Sequence, residues 1–182
     1  MNGKKEILLL NGSASAQSSN EKLIRRLERE LSADYLLNIY FDLKVIPHFD
    51  PERSVGDAPA EVRSLREAIQ RAAAIVICTP EYIYSIPSGL KNVLEWCVAT
   101  TVFTGKPVGI ITASAGGQKG HEELLLILGI LGAKLSDATS LLIPGIKGKF
   151  DDLGEFKDEE TGKLFRRFVD SFKVFSEEGG RG

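Results

Sequence analysis

Ala74-Ile75-Val76-Ile77-Cys78 is apolar at every position, so a strand built from it can expose neither face to water. Such a strand belongs inside a parallel sheet with helices on both sides, which confines the chain to the layered α/β class. Thr79-Pro80-Glu81-Tyr82-Ile83-Tyr84-Ser85-Ile86-Pro87 follows, and then Leu90, Val93, Leu94 and Cys97 recur at helical spacing. Pro80 stiffens the exit from the strand and Pro87 fits a first helical turn without losing a needed N–H. The result is a stiff loop with two tyrosines at the carboxyl end of a strand, where open α/β sheets hold their ligands. The competing reading is a connection whose tyrosines serve packing.

The same alternation runs along the whole chain. Glu6-Ile7-Leu8-Leu9-Leu10 predicts a central strand, and residues 35–41 a second one nearer an edge, because Asn38 interrupts it. Residues 106–112 and 138–143 supply the fourth and fifth strands. Between them lie helical stripes: Leu23, Ile24, Leu27 and Leu31; Val62, Leu65, Ile69 and Ala73; and, at the end, Leu164, Phe168, Phe172 and Phe175. Five strands alternating with helices imply a doubly wound parallel sheet with right-handed crossovers, expected in the order 2-1-3-4-5. At 182 residues the chain suits one domain, 1–182, with residues 176–182 expected to fray. Segment 42–58, with Pro47, His48, Pro51 and Gly56, is irregular. His48 could face a site, but a lone histidine in a loop is more often solvated or structural.

The 23 basic and 25 acidic residues nearly cancel, which points to neither nucleic acid nor an anionic membrane as a partner. No basic-then-apolar leader opens the sequence, and its longest apolar run is far below the ~20 residues needed to span a bilayer, so a cytoplasmic location is expected. Cys78 and Cys97 form no C-x-x-C pair and read as core thiols, and no metal site is expected. The run 124–131, with Leu124, Leu125, Leu126, Ile127, Leu128, Ile130 and Leu131, is apolar nearly all round. Such a helix needs cover on more than one side, which predicts a homodimer or homotetramer through it; the alternative is burial within one domain.

Three loops should share one rim of the sheet. Residues 11–19 hold four serines and lead into a helix capped by the Ser18–Glu21 pattern, so backbone N–H groups and the helix dipole converge there on an anion. Residues 80–87 are the stiff aromatic loop. Residues 114–120 contain three glycines, which allow close approach to a ligand. No G-x-G-x-x-G follows the first strand and no G-K-[ST] occurs, which argues against a dinucleotide-binding Rossmann domain and a nucleotide triphosphatase. A phosphate tail joined to a flat ring system matches the three loops, and flavin mononucleotide fits best, partly by analogy with other sheets of this strand order.

These residues also carry a family resemblance. Gly12-Ser13-Ala14-Ser15-Ala16-Gln17-Ser18-Ser19-Asn20 resembles G-S-x-R-x-x-S-x-N, and residues 80–92 resemble P-E-Y-N-x-S-x-P-G-x-L-K-N, the two patterns of the NADPH-dependent FMN reductases, a flavodoxin-like family of quinone, azo-dye and chromate reductases. The similarity runs from about residue 6 to residue 143. It implies Ser13, Ser18 and Asn20 at the FMN phosphate, Pro80, Glu81, Tyr82, Ile83, Tyr84 and Ser85 around the isoalloxazine, and Ser114, Gly116 and Gly117 at its other edge. Ser15 stands where arginine is usual, which leaves the phosphate to hydroxyl and amide donors, and Ile83 stands where asparagine is usual. Ser88-Gly89 is a minor departure.

The activity implied is hydride transfer from NAD(P)H to FMN and onward to a small-molecule electron acceptor: a quinone, azo compound, free flavin or metal oxyanion. The cofactor carries that chemistry, so no side chain is expected to be catalytic. Tyr82, Ile83 and Tyr84 would wall the stacking site. Two other classes compete: a flavodoxin-type electron carrier, usually with a strongly acidic docking face, and a relative without cofactor acting as a binding module.

Overall fold

A computed structural model describes residues 3–15, 18–151 and 154–178. Five parallel strands, β1 (Glu6–Asn11), β2 (Leu36–Tyr40), β3 (Ala74–Thr79), β4 (Val108–Ser114) and β5 (Ser140–Pro144), stand in the order β2-β1-β3-β4-β5. The predicted order is thus the observed one. Helices α1 (Ser19–Leu31), α2 (Ala60–Arg71), α3 (Ser88–Cys97), α4 (Gln118–Ile130) and α5 (Glu159–Glu178) follow the strands in turn.

The period-2 alternation of strand side chains divides the core in two. Leu8, Leu10, Ile75, Ile77 and Ile110 face α2, α3 and α4, through Leu65, Ile69, Leu90, Val93, Leu124 and Leu128. Ile7, Leu9, Val76, Cys78 and Ile111 face α1 and α5, through Leu23, Leu27, Phe165, Phe168 and Phe172. Both faces of β1 and β3 are therefore buried, as their unbroken apolar runs require. Asn38 of the edge strand β2 donates to Glu6 Oε1 at 3.2 Å.

Several elements depart from the sequence reading. β4 starts two residues later than expected because Lys106 N closes a turn on the Phe103 carbonyl at 3.0 Å and Pro107 has no N–H to give the ladder. Inside the strand Gly109 admits two rings of α5, since a Cβ there would lie 2.9 Å from Phe172 Cδ2 and 3.0 Å from Phe168 Cζ. In α5 the inward stripe is Phe165, Phe168, Val169 and Phe172, and Leu164 faces out. The helix also continues through Ser176, expected to fray; its side chain is buried and 2.9 Å from the Tyr35 hydroxyl. Residues 179–182 lie outside the described residues. In segment 42–58, Asn92 accepts from Phe49 N at 2.7 Å and donates to the Pro47 carbonyl at 2.9 Å, and Trp96 Nε1 donates to the same carbonyl at 2.7 Å. That segment is a strap over α3, and His48 on it is exposed.

Candidate functional site

The carboxyl ends of β1, β3 and β4 lie side by side, which brings the serine-rich loop, the double-proline loop and the glycine-rich loop together. Gly12 is the pivot. Its N–H donates to the Cys78 carbonyl at 2.8 Å, and a Cβ on it would lie 2.7 Å from Thr79 Oγ1, so only glycine lets the first loop lie against the second. Beyond it, Asn11 Oδ1 accepts from Ser13 N at 3.1 Å, Ser13 Oγ accepts from Ser15 N at 3.3 Å, and Ser18 caps α1 by accepting from Glu21 N at 3.1 Å. Asn20, buried in the first turn of α1, donates Nδ2 to the Ala113 carbonyl at 3.1 Å, which pins the positive end of α1 beside β4.

These contacts enclose a cavity of about 660 Å³. Ser13, Ser15, Ser18, Asn20, Pro80, Tyr82 and Ser114, all predicted site residues, line it. Ser19, Ala113, Ala115, Gly145, Ile146 and Lys147 line it as well, and the sequence reading did not single them out. The last three follow β5 in what read as a surface loop. The available signal was Pro144-Gly145, which stops a fifth strand at the same rim. Among the described residues, Lys147 is the one charged side chain in the lining.

The other predicted residues sit around the cavity. Glu81 ties two loops together: its carboxylate accepts from Gly117 N at 3.3 Å and Gly120 N at 2.8 Å, and its carbonyl accepts from Ser114 Oγ at 3.2 Å. Gly117 takes φ 102° to begin α4, and Gly116 leaves its surroundings open. From the other direction, Glu123 of α4 accepts from Ser85 Oγ at 2.6 Å and Ile86 N at 2.9 Å. Two carboxylates, one from each side, thus brace the double-proline loop against α4. Glu123→Ala removes one brace while leaving the lining intact. FMN affinity is expected to fall roughly three- to tenfold, with a stability loss of about 1–2 kcal/mol, checked by flavin titration and denaturant unfolding.

Between the braces, Tyr82 and Ser85 close a tight turn, with Tyr82 N donating to the Ser85 carbonyl at 2.9 Å and Ser85 N to the Tyr82 carbonyl at 3.1 Å. Both central residues are left-handed, Ile83 at φ 51° and Tyr84 at φ 58°. Asparagine or glycine ordinarily fills such a turn, and a β-branched residue there is strained by about 1–2 kcal/mol. Ile83 and Tyr84 are 95% and 79% exposed, so of the three residues expected to wall the stacking site only Tyr82 reaches the cavity lining. Ile83→Gly is expected to stabilise the protein by roughly 1 kcal/mol in denaturant unfolding, the relief of strain exceeding glycine's entropic cost.

His121 is buried in α4 with Nδ1 2.7 Å from Thr112 Oγ1 and Nε2 2.8 Å from Ser140 Oγ, spanning β4 and β5 behind the glycine-rich loop. Burial holds its pKa below the ordinary histidine value, opposed in part by Glu122. The unfolded chain therefore binds the proton more readily, so stability is lost as pH falls below about 6.5 and on toward the folded pKa. His121→Gln should flatten that part of the stability profile measured by thermal unfolding. Both cysteines are free and buried; burial pushes the Cys78 thiol up and the Cys97 thiol to about 12, so neither is a thiolate. Among the described residues, no three His, Cys, Asp or Glu side chains are grouped to hold a metal ion, and no helix is long and apolar enough to cross a membrane.

Fit to a phosphorylated flavin is tested by the polar atoms. Asn20 Oδ1 is buried and accepts no hydrogen bond from the described residues. An acceptor left open in a cavity with a capped helix terminus and five serine side chains matches a ligand that brings hydroxyl donors and an anion together.

The sequence model described as NADPH-dependent FMN reductase matches residues 6–146. The chain is 33% identical over 172 residues to a subunit of the NADH:(hydroxy)cinnamate reductase of Vibrio ruber, covering 89% of this chain and 84% of that one. It is 32% identical over 188 residues to a quinone reductase of Escherichia coli K12, covering 96% of this chain and all of that one. The solved structure of FerB, a flavoenzyme NAD(P)H:(acceptor) oxidoreductase from Paracoccus denitrificans, superposes with a TM-score of 0.83 at 26% identity, over 96% of this chain and 98% of that one. With the family's pattern matched over most of its length, the chain belongs to the NADPH-dependent FMN reductase family and is an oxidoreductase of flavodoxin-like fold.

Proposed function

We propose that the protein is an FMN-dependent NAD(P)H oxidoreductase that reduces a small acceptor of the quinone class, with azo compounds, free flavin and metal oxyanions as further candidates. The observation that carries this reading is the convergence of α1's capped terminus, the open Asn20 Oδ1, and Pro80 and Tyr82 in one cavity. Bound FMN supplies the hydride chemistry. The protein's part is positional: Ser13, Ser15, Ser18 and Asn20 receive the phosphate and ribityl end, Pro80 and Tyr82 flank the ring, and Ser114 lies at its edge. Glu81, Ser85, Gly116 and Gly117 shape the loops that hold those contacts.

Ile83 and Tyr84 stand free at the rim and offer an apolar surface to a nicotinamide or planar acceptor. Because these residues position and do not react, Tyr84→Ala is expected to leave the rate of flavin reduction within about tenfold while raising the KM for the acceptor. A loss of several decades with FMN still bound would contradict the assignment of the chemistry to the flavin alone. Turnover of NADPH with a panel of quinones, azo dyes and ferric or chromate salts tests the acceptor class.

The reading extends to assembly and place. Residues 1–182 are taken as one FMN-binding domain. On α4, Leu126 and Ile130 are 65% and 73% exposed, and beside them a groove of about 190 Å³ runs between Leu94, Val98, Ile127 and Leu131. That exposed apolar face supports a homodimer or homotetramer through α4. Light scattering of Ile130→Glu against the parent chain tests it, monomer being the expected product. Two unpaired buried thiols and a nicotinamide reductant support a cytoplasmic location.

A further inference from the structure

We infer that Lys147 supplies the full positive charge for the phosphate of the cofactor, the role that Ser15 leaves unfilled. The inference rests on the FMN reading above. A phosphate monoester carries nearly two negative charges, and serine hydroxyls with a helix terminus bring only partial charge to it. Some cation should therefore share the cavity, and the arginines of α1 and Lys149 already hold partners. Arg25 pairs with Glu28 at 3.1 Å, Arg26 and Arg29 both hold Glu155, and Lys149 bonds Thr161 at 2.8 Å and Asp158 at 3.4 Å. Lys44 lines an adjoining recess of about 180 Å³ on the far side of Ser13 and Ser15, where Glu21 and Asp42 bring negative charge beside it.

Lys147 has no such commitment among the described residues, and it lines the cavity with Ser13, Ser15 and Ser18. Its backbone is fixed from both sides. Gly145 takes φ 65° and donates to the Ala115 carbonyl at 3.1 Å, Ile146 is buried in the core beneath α1 and α5, and Gly148 N closes the turn on the Gly145 carbonyl at 3.2 Å. A pinned turn fixes where the lysine stem leaves the backbone, so only its side-chain rotamers remain to be ordered on binding. The charge for the anion thus comes from the loop after β5, across the cavity from the serine-rich loop, and not from that loop itself.

The test is flavin titration of the full chain, stripped of flavin, with FMN and with riboflavin, which carries the same ring and ribityl chain without the phosphate. Lys147→Gln should weaken FMN by roughly fivefold or more and leave riboflavin unchanged, and the salt dependence of FMN binding should become shallower. Lys147→Arg should keep FMN affinity, and Ser15→Arg in the Lys147→Gln background should restore it. A smaller loss in Lys147→Gln, or an equal loss for FMN and riboflavin, overturns the inference while the FMN reading stands. If the parent chain binds neither flavin, the FMN reading itself fails and the inference falls with it.

Discussion

Gly12→Val is expected to destabilise the protein by about 2–3 kcal/mol and to weaken FMN binding by at least roughly tenfold. The position has no room: the first carbon alone would meet Thr79 Oγ1 at 2.7 Å, Thr79 Cβ at 2.9 Å and Leu90 Cδ2 at 3.0 Å. Thr79 cannot yield freely, since it ends β3 and its hydroxyl donates to the Pro80 carbonyl at 3.0 Å. Relief must come from moving the first loop away from the second, which separates Ser13 and Ser15 from Pro80 and Tyr82 in the shared lining. Denaturant unfolding and flavin titration of the same variant measure both effects. Unchanged FMN affinity would mean that the contact between the loops does not set the site.

Phe172→Ala is expected to have the larger effect on stability and little on the site. The ring is fully buried against Gly109 of β4 and lies parallel to Phe168 with centroids 6.2 Å apart. Truncating a buried phenylalanine costs about 3–5 kcal/mol from lost burial and the cavity left behind. For a chain of this size that corresponds to a fall in Tm of roughly 6–20 °C. Phe172 belongs to the α5 side of the core, whereas the cavity lies at the carboxyl ends of the strands. Below the transition, FMN affinity should therefore stay within about twofold, because distant sites act nearly independently. The two variants together separate the integrity of the core from the geometry of the rim.

The sheet was legible because its signals are local. An unbroken apolar run such as residues 74–78 admits one environment, and the Ser18–Glu21 cap marks the start of α1 without reference to anything distant. What escaped the reading depends on partners far along the chain. Gly109 gave no sign that it makes room for Phe168 and Phe172 of α5, a contact between residues about sixty positions apart. Leu164 and Phe165 are equally apolar, and only the rotation of α5 against the sheet decides that Phe165 is the buried one.

Of the motif residues, Ser13, Ser18, Asn20, Pro80 and Tyr82 line the cavity, but Glu81 lay inside a motif and gave no sign that its carboxylate holds the start of α4. Lys147 sat in a stretch rich in glycine and charge, where composition says surface; its place in the cavity follows from β5 ending beside β4 and from the buried anchor at Ile146. The left-handed turn at Ile83 and Tyr84 runs against what those side chains prefer, and no sequence rule would find it.

Anaerobic stopped-flow absorbance of the FMN-loaded protein mixed with NADPH tests the central claim most directly. The expected result is complete bleaching of the bound flavin's visible band, followed by its return when a quinone is added. A band that persists while FMN stays bound, or FMN that separates from the protein on desalting, would contradict it.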